Sequence, residues 1–302
     1  MCLDRRGGTD LRRRFMDDML LTGKSQRTVG AYVDAVRHMA EHYWVPPDRL
    51  TEEQVRRYLL HLVNEKKVAR GTHTVALCGI KLFYELTAQR EWRIFDIARP
   101  RYERRLPVVL SRGETWRILD CVSIPVYRIC LTTIYALGLR LMEGITLTPQ
   151  QIDSDRKVVH IHGKGAKDRY VPIQPKTVEL LRDFWKTHRC PHWLFPAPTR
   201  HGLDHSLATN AGPVERSSVQ SAFQRARVKA GVRKKAHVHT LRHSYATHLL
   251  EEGTALPVIQ EYLGHSSITS TRIYLHLTRK VRKTAEDPIA RLMQRPSPSD
   301  DE

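Results

Sequence analysis

The residues best suited to chemistry lie late in the chain, in the sequence HTLRHSYATHLLEEGTALPVIQEYLGHSSITSTRIY. His239 and Arg242 are close enough in sequence for their side chains to leave the same face of a helix. Arginine donors match two phosphate oxygens, and an imidazole can bond a third oxygen or move a proton. With a second imidazole at His265 and the phenol of Tyr274, this set suits attack by tyrosine on a phosphodiester. Any one of these residues alone could equally be a packing or helix-end group.

Arg140 stands just after Gly138 in the segment ALGLRLMEGITL, at the turn between two predicted apolar helices. An arginine among apolar residues is costly to bury without an anionic partner. Two partners are compatible with the sequence: Glu143 within the protein, or a DNA phosphate. The first would make Arg140 a structural residue, and the second would make it a binding residue.

The segment KVVHIHGKGAKDRYVPI predicts two strands, residues 158–162 and 169–173, joined by a turn. Glycines flank Lys164, which keeps the turn flexible and presents one long cation. Lys164 could therefore protonate a leaving oxygen. Lys167 and Arg169 are better suited to contact the DNA backbone.

Helical patterns surround these positions. Residues 240–252 predict a helix that Gly253 ends, and Pro257 opens a shorter helix that ends at Gly264. Together with the hairpin, these elements predict a catalytic domain over residues 108–302. Its expected fold class is α+β, mainly α with a small antiparallel β-sheet.

Residues 1–97 predict a separate, all-helical domain of four short helices. Val29 and Val33 belong to its clearest apolar stripe, and Thr51 with Gln54 forms the pattern of a capping box. Such a bundle could dock a protein, but its many arginines and lysines favour DNA as the partner.

Basic segments connect and flank the two predicted domains. Residues 98–107, ARPRYERRLP, predict an extended linker that either crosses a phosphate backbone or is a plain solvated hinge. The linker residues proposed to contact DNA are Arg99, Arg101, Arg104 and Arg105. Further on, RARVKAGVRKK ends in Lys234 and Lys235. Phosphate contact and a solvated basic face both remain open for these two lysines.

Composition limits the class of partner. The 302 residues carry 50 lysines and arginines against 32 aspartates and glutamates, a formal net charge of +18 that favours a polyanion. An anionic membrane surface would also fit this charge. The sequence contains no apolar run long enough to span a bilayer and no visible signal peptide. Five scattered cysteines argue against a disulfide framework, so a cytoplasmic location is expected.

The order of the motifs closely resembles that of the tyrosine recombinases, the integrase family of phage and bacterial site-specific recombinases. The motifs are GLR with Arg140, GKG with Lys164, HTLRH with His239 and Arg242, LGH with His265, and finally Tyr274. They cover roughly the C-terminal two thirds of the chain. The resemblance also implies that the N-terminal third is a helical domain that clamps DNA.

The resemblance assigns a role to each of these residues. Arg140, Arg242 and His265 would hold the scissile phosphate. Lys164 would act as general acid, and His239 would assist proton transfer.

The resemblance also implies a mechanism and partners. Tyr274 would form a 3′-phosphotyrosine bond, and Glu143 would support Arg140. Because the phosphotyrosine conserves the bond energy, no cofactor and no metal would be required. The expected partner is double-stranded DNA, on which weakly associating protomers would form a homotetramer. Accessory DNA-bending proteins are further candidate partners, and a C-terminal segment around Ile289, Leu292 and Met293 would dock on a neighbouring protomer.

Three other functions share parts of this pattern. A type IB topoisomerase would relax DNA without choosing a site, and a catalytically idle regulator would bind DNA without using Tyr274. A metal-dependent nuclease is suggested by His160 and His162, which share one face of a strand. The sequence shows no third ligand beside this pair, which disfavours a metal site. His188, Cys190 and His192 likewise lack a fourth ligand at suitable spacing.

Overall fold

The computed structural model describes residues 10–97, 106–163, 168–198 and 212–264. The chain divides between Arg104 and Arg105 into two compact units. The described residues are mainly helical, with one three-stranded antiparallel sheet in the second unit. The predicted fold class, mainly α with a small antiparallel sheet, is therefore confirmed.

The first unit is helical, and two of its helices begin at side-chain caps. The Ser25 hydroxyl accepts a hydrogen bond from the Thr28 amide, and Thr51 and Gln54 form the predicted capping box. The apolar stripe that includes Val29 is buried in the core of this unit. Its elements are α1 (Asp10–Leu21), α2 (Gln26–Tyr43), a 3₁₀ turn (Pro47–Arg49), α3 (Glu52–Asn64), α4 (Arg70–Leu82), a π-helical turn (Phe83–Thr87) and α5 (Ile94–Ile97).

The second unit surrounds a separate apolar core with helices and the sheet. The core includes Ile134 of α7 and Leu241 of α11, both fully buried. The elements are α6 (Arg112–Asp120), α7 (Pro125–Ala136), α8 (Leu141–Ile145), a 3₁₀ turn (Pro149–Gln151), β1 (Ile152–Asp153), β2 (Val158–Ile161), β3 (Arg169–Pro172), α9 (Pro175–Lys186), α10 (Arg216–Lys229), α11 (Val238–Glu251) and α12 (Leu256–Leu263).

The sheet has the strand order β1-β2-β3, with Ile161 paired to Arg169. Side chains alternate between faces, so Val159, Ile161, Arg169 and Val171 are buried while Tyr170 is exposed. The sequence predicted the hairpin of β2 and β3. It missed β1, because a strand of two residues is too short to show an alternating pattern.

Two glycines lie at helix ends that contact the same buried arginine, Arg242, as described below. Gly138, after α7, has a φ of 61°, and a β-carbon there would lie 2.3 Å from the ring of Tyr245 on α11. Gly264 ends α12 in the left-handed conformation, with a φ of 60°. In the ranges that the structure describes, no helix is both long and apolar enough to cross a membrane.

Candidate active site at the α8, α11 and α12 ends

Helix α11 carries Arg242 into the interior, where its side chain is 1% exposed. The Nη1 atom donates to the Gly138 carbonyl at 2.8 Å, and Nη2 donates to the Leu263 carbonyl. One acceptor follows α7 and the other is the last residue of α12. The guanidinium thus ties the ends of two helices to α11, using the carbonyls that helix ends leave without intrahelical partners.

Arg140 and Glu143 form the start of α8. The Glu143 carboxylate accepts two hydrogen bonds from Arg140, one from the backbone amide at 2.8 Å and one from Nη1 at 2.7 Å. Nη2 of Arg140 also donates to the Gly264 carbonyl at 3.4 Å. The predicted internal partner of Arg140 is therefore present, and Arg140 still keeps 36% of its side chain exposed. The exposed part remains available to an anion.

Arg169 lies at a different place from the one that the sequence suggested. Its side chain is 5% exposed, and two of its nitrogens bond the Glu143 carboxylate at 2.7 and 3.1 Å. Its Nε atom donates to the Tyr262 carbonyl at 2.8 Å. The expected DNA-backbone contact is therefore wrong for this structure, because Arg169 is used inside the protein. The alternation of β3 was the available signal, since Arg169 and Val171 share the buried face.

Glu143 is the common anionic neighbour of three arginines. Arg140 and Arg169 bond it directly, and Nη1 of Arg242 lies 3.8 Å from it. Burial alone would raise the pKa of Glu143, but the hydrogen bonds from Arg169 and Arg140 outweigh it and lower the pKa to about 2. Among these four side chains, the cations outnumber the carboxylate by two. The cluster can therefore attract an anion.

His239 precedes Arg242 by one helical turn, as its spacing predicted. One side of the residue is exposed to solvent, but the rest of its ring is desolvated by packing. This desolvation, together with the cations of Arg242 and Arg140, lowers the pKa of His239. The imidazole is consequently neutral at pH 7 and can accept a proton.

The two lysines of the basic cluster differ in their surroundings. Both lysines are exposed, but Lys234 also donates to Glu114 at 2.7 Å and to the Val109 carbonyl at 3.0 Å. The remaining predicted site residues lie outside the described residues. These are Arg99, Arg101, Arg104, Arg105, Lys164, Lys167, His265 and Tyr274.

Comparison with known proteins gives this cluster a family. The sequence pattern described as "Phage integrase family" matches residues 112–280, and "Phage integrase, N-terminal SAM-like domain" matches residues 11–94. The chain belongs to the phage integrase family. The protein y4qK of Sinorhizobium fredii is 38% identical over 295 residues, covering 96% of this chain and 92% of its own. Tyrosine recombinase XerD of Staphylococcus aureus is 32% identical over 279 residues, covering 86% and 92%.

Solved structures show the same fold as this integrase-family chain. Residues 75–356 of lambda integrase, in a dimer bound to a COC′ core site, give a TM-score of 0.67 at 17% identity, covering 86% of this chain and 95% of that one. The resemblance to tyrosine recombinases is thus confirmed. Membership of this family supports site-specific DNA recombination as the activity.

Proposed function

We propose that this chain is a site-specific recombinase that cuts and rejoins DNA strands through a covalent bond between Tyr274 and a 3′ phosphate. The observation that carries this proposal is the arginine cluster. Arg140 and Arg242 come from different helices, yet both lie within 4 Å of the Glu143 carboxylate. The forked donors of arginine match the two nonbridging oxygens of a phosphodiester, which carries one negative charge.

In the proposed reaction, the Tyr274 oxygen attacks phosphorus while the bond from phosphorus to the 5′ oxygen breaks. Neutral His239 accepts the tyrosine proton, and Lys164 gives a proton to the departing 5′ oxygen. Negative charge grows on the nonbridging oxygens, where the guanidinium groups of Arg140 and Arg242 stabilise it. A 5′ hydroxyl from a partner strand then reverses the step and releases the tyrosine.

Access to the two arginines differs. Arg140 presents the exposed edge of the cluster, while Arg242 is almost fully buried. Direct contact between Arg242 and the phosphate therefore requires a rearrangement around Arg242 when DNA binds. Glu143 and Arg169 act as positioning residues in this scheme, because they orient the guanidinium groups and do not meet the substrate.

Double-stranded DNA is the proposed partner. XerH, a structural relative with a TM-score of 0.62 and 19% identity, is described as bound to its difH substrate before cleavage. The net charge of +18 fits a DNA partner. Because two duplexes must be cut and rejoined, we expect four protomers to assemble on DNA, with His265 completing each phosphate site.

A covalent-trapping assay tests the nucleophile. The protein would be incubated in EDTA with nicked duplexes taken from DNA that flanks its gene, and then separated on a denaturing gel. We expect an adduct with the natural sequence and none with Tyr274→Phe. Tyr262→Phe is the matched control, since it removes another phenol but keeps the carbonyl that Arg169 uses.

Two results would contradict the proposal. An adduct that persists in Tyr274→Phe would show that another residue is the nucleophile. DNA binding by the natural sequence with no adduct on any nicked flanking duplex would favour a DNA-binding regulator.

A further inference from the structure

A second group of side chains that could do chemistry lies at the turn end of the β2–β3 hairpin. His160 Nε2 and His162 Nδ1 lie 3.1 and 3.0 Å from the same oxygen of Asp168. In the described ranges, these residues offer three ligand atoms that all lie within 4.8 Å of one another. The sequence showed the two histidines but not Asp168, which approaches them from the opposite strand.

The sheet register explains why these residues meet. Ile161 pairs with Arg169, so the next pair toward the turn is His162 opposite Asp168. His160 projects to the same face as His162 and stacks on Tyr170, with ring centroids 4.9 Å apart. The backbone on either side of the turn therefore fixes all three groups.

We propose that His160, His162 and Asp168 form a site for a transition-metal dication such as Zn²⁺. Ligand atoms of a tetrahedral zinc ion lie roughly 3.3 Å apart when the bonds are about 2.0–2.1 Å long. The observed separations from the Asp168 oxygen differ from this by a few tenths of an ångström. Two imidazoles with one carboxylate suit Zn²⁺, Co²⁺ or Ni²⁺ better than Mg²⁺ or Ca²⁺, which prefer oxygen ligands. The fourth position is left for water.

The chemistry of the site separates it from the arginine cluster. Its ligands would be two imidazole nitrogens and a carboxylate oxygen, and the ion would replace the hydrogen bonds that now join these groups. Its exposure also allows an ion to enter, because the side chains of His160, His162 and Asp168 are 34%, 65% and 45% exposed.

The consequence for catalysis rests on the proposed function. The metal would join the last residue before the turn segment 163–167 to the first residue after it, and that segment contains the proposed general acid Lys164. A cleft of about 150 Å³ is lined by both His162 and Glu143, so the metal site borders the arginine cluster. We infer that the ion holds His162 and Asp168 together at the two ends of this segment and so restricts the position of Lys164 relative to the arginine cluster.

Cobalt spectroscopy on the full-length protein tests the site itself. Tetrahedral Co²⁺ bound to nitrogen and oxygen ligands absorbs visible light, and Zn²⁺ should displace it. We expect one equivalent to bind to the natural sequence, and the band to be lost in His162→Gln and in Asp168→Asn. His38→Gln is the control, because it removes an exposed histidine from α2 and should leave the band unchanged. An absent band, or one that survives both ligand variants, would overturn the site.

The covalent-trapping assay then tests the role of the ion. We expect adduct formation with the natural sequence to be severalfold faster in Zn²⁺ than in EDTA, and His162→Gln to show the slower rate in both. Equal rates in Zn²⁺ and EDTA would overturn the catalytic role. Failure of the two proposals is distinguishable: metal binding without any adduct would contradict the proposed function, whereas adduct formation without metal binding would contradict this inference.

Discussion

Glu143 takes no direct part in the proposed reaction, yet it determines how the arginines of the site are arranged. Its carboxylate bonds Arg140 and Arg169 and neighbours Arg242, so it fixes cations that would otherwise repel one another. Its side chain is only 7% exposed, which makes the loss of its charge costly. At the residue scale, stability and the proposed phosphate binding therefore depend on the same group.

We expect Glu143→Gln to lower the free energy of unfolding of the second unit by about 3 kcal/mol, because it leaves the buried Arg169 and the half-buried Arg140 without their carboxylate. Glu252→Gln is the control, since its ion pair with Arg112 is more than half exposed and should contribute less than about 1 kcal/mol. Urea denaturation followed by circular dichroism measures both. Equal effects of the two variants would show that the arginine cluster does not depend on Glu143.

The stabilising effect of Glu143 should also depend on pH in a defined direction. Its pKa is lowered from 4.5 to about 2 on folding, so its contribution is complete above pH 4.5 and is lost as the pH falls toward 2. The difference in unfolding free energy between the natural sequence and Glu143→Gln should shrink over this interval. Urea titrations at several pH values measure the difference, and a constant value would contradict the lowered pKa.

His239 gives a second pH-dependent prediction, this time for activity. Its pKa is lowered below 6.5, so the imidazole remains able to accept a proton until the pH falls below that value. We expect the rate of adduct formation to decrease on the acid side of pH 6.5 in the natural sequence. In His239→Gln, the rate should be lower and this decrease should be absent. If the rate of adduct formation still decreases below pH 6.5 in His239→Gln, that decrease belongs to the titration of another group.

At the scale of elements, the site is built from places where helices end. The carbonyls of Gly138 and Leu263 accept hydrogen bonds from Arg242, and Arg140 is the residue just before α8. Gly138 can occupy its position because it tolerates a positive φ and leaves room for Tyr245. The close approach of the turn after α7 to α11 thus brings the two proposed phosphate-binding arginines together.

Gly138→Ala should lower the free energy of unfolding by about 2–4 kcal/mol, through both the left-handed backbone and the contact with Tyr245. Gly113→Ala is the matched control. Gly113 lies in α6 with open space around it, so alanine there should stabilise the helix by roughly 0.5–1 kcal/mol. Thermal unfolding distinguishes the two, and a neutral Gly138→Ala would show that the turn can relax away from α11.

The sequence predicted much of this arrangement because its signals are local. The capping box of Thr51 and Gln54, the β2–β3 hairpin and the glycine at the end of α12 each depend on neighbouring residues. The tertiary use of Arg169 and Asp168 was not predicted, because it depends on which residues face each other across the sheet and which helix packs beside it. The charge of Arg169 suggested DNA, while its buried position on β3 made it an internal partner of Glu143.

At the scale of the whole molecule, the net charge of +18 should make DNA binding strongly dependent on salt. The structure predicts different contributions to this salt dependence from two adjacent lysines, Lys234 and Lys235. If Lys235 contacts a phosphate, Lys235→Ala should reduce the slope of log affinity against log salt by about 0.9. Lys234→Ala should change the slope less, since Lys234 already bonds Glu114 and the Val109 carbonyl. Fluorescence anisotropy at several salt concentrations measures both slopes, and equal changes would contradict this distinction.

Gly264 has a consequence for how members of the family could exchange parts. Its carbonyl accepts from Arg140, and a β-carbon at this position would lie 2.8 Å from Cδ of Arg169. The first constraint involves the backbone of Gly264, and the second involves its lack of a side chain. The junction therefore demands a glycine at position 264. A chimera that joins this chain to a relative near this point should therefore keep a glycine at position 264, so that the contacts of Arg140 and Arg169 are preserved.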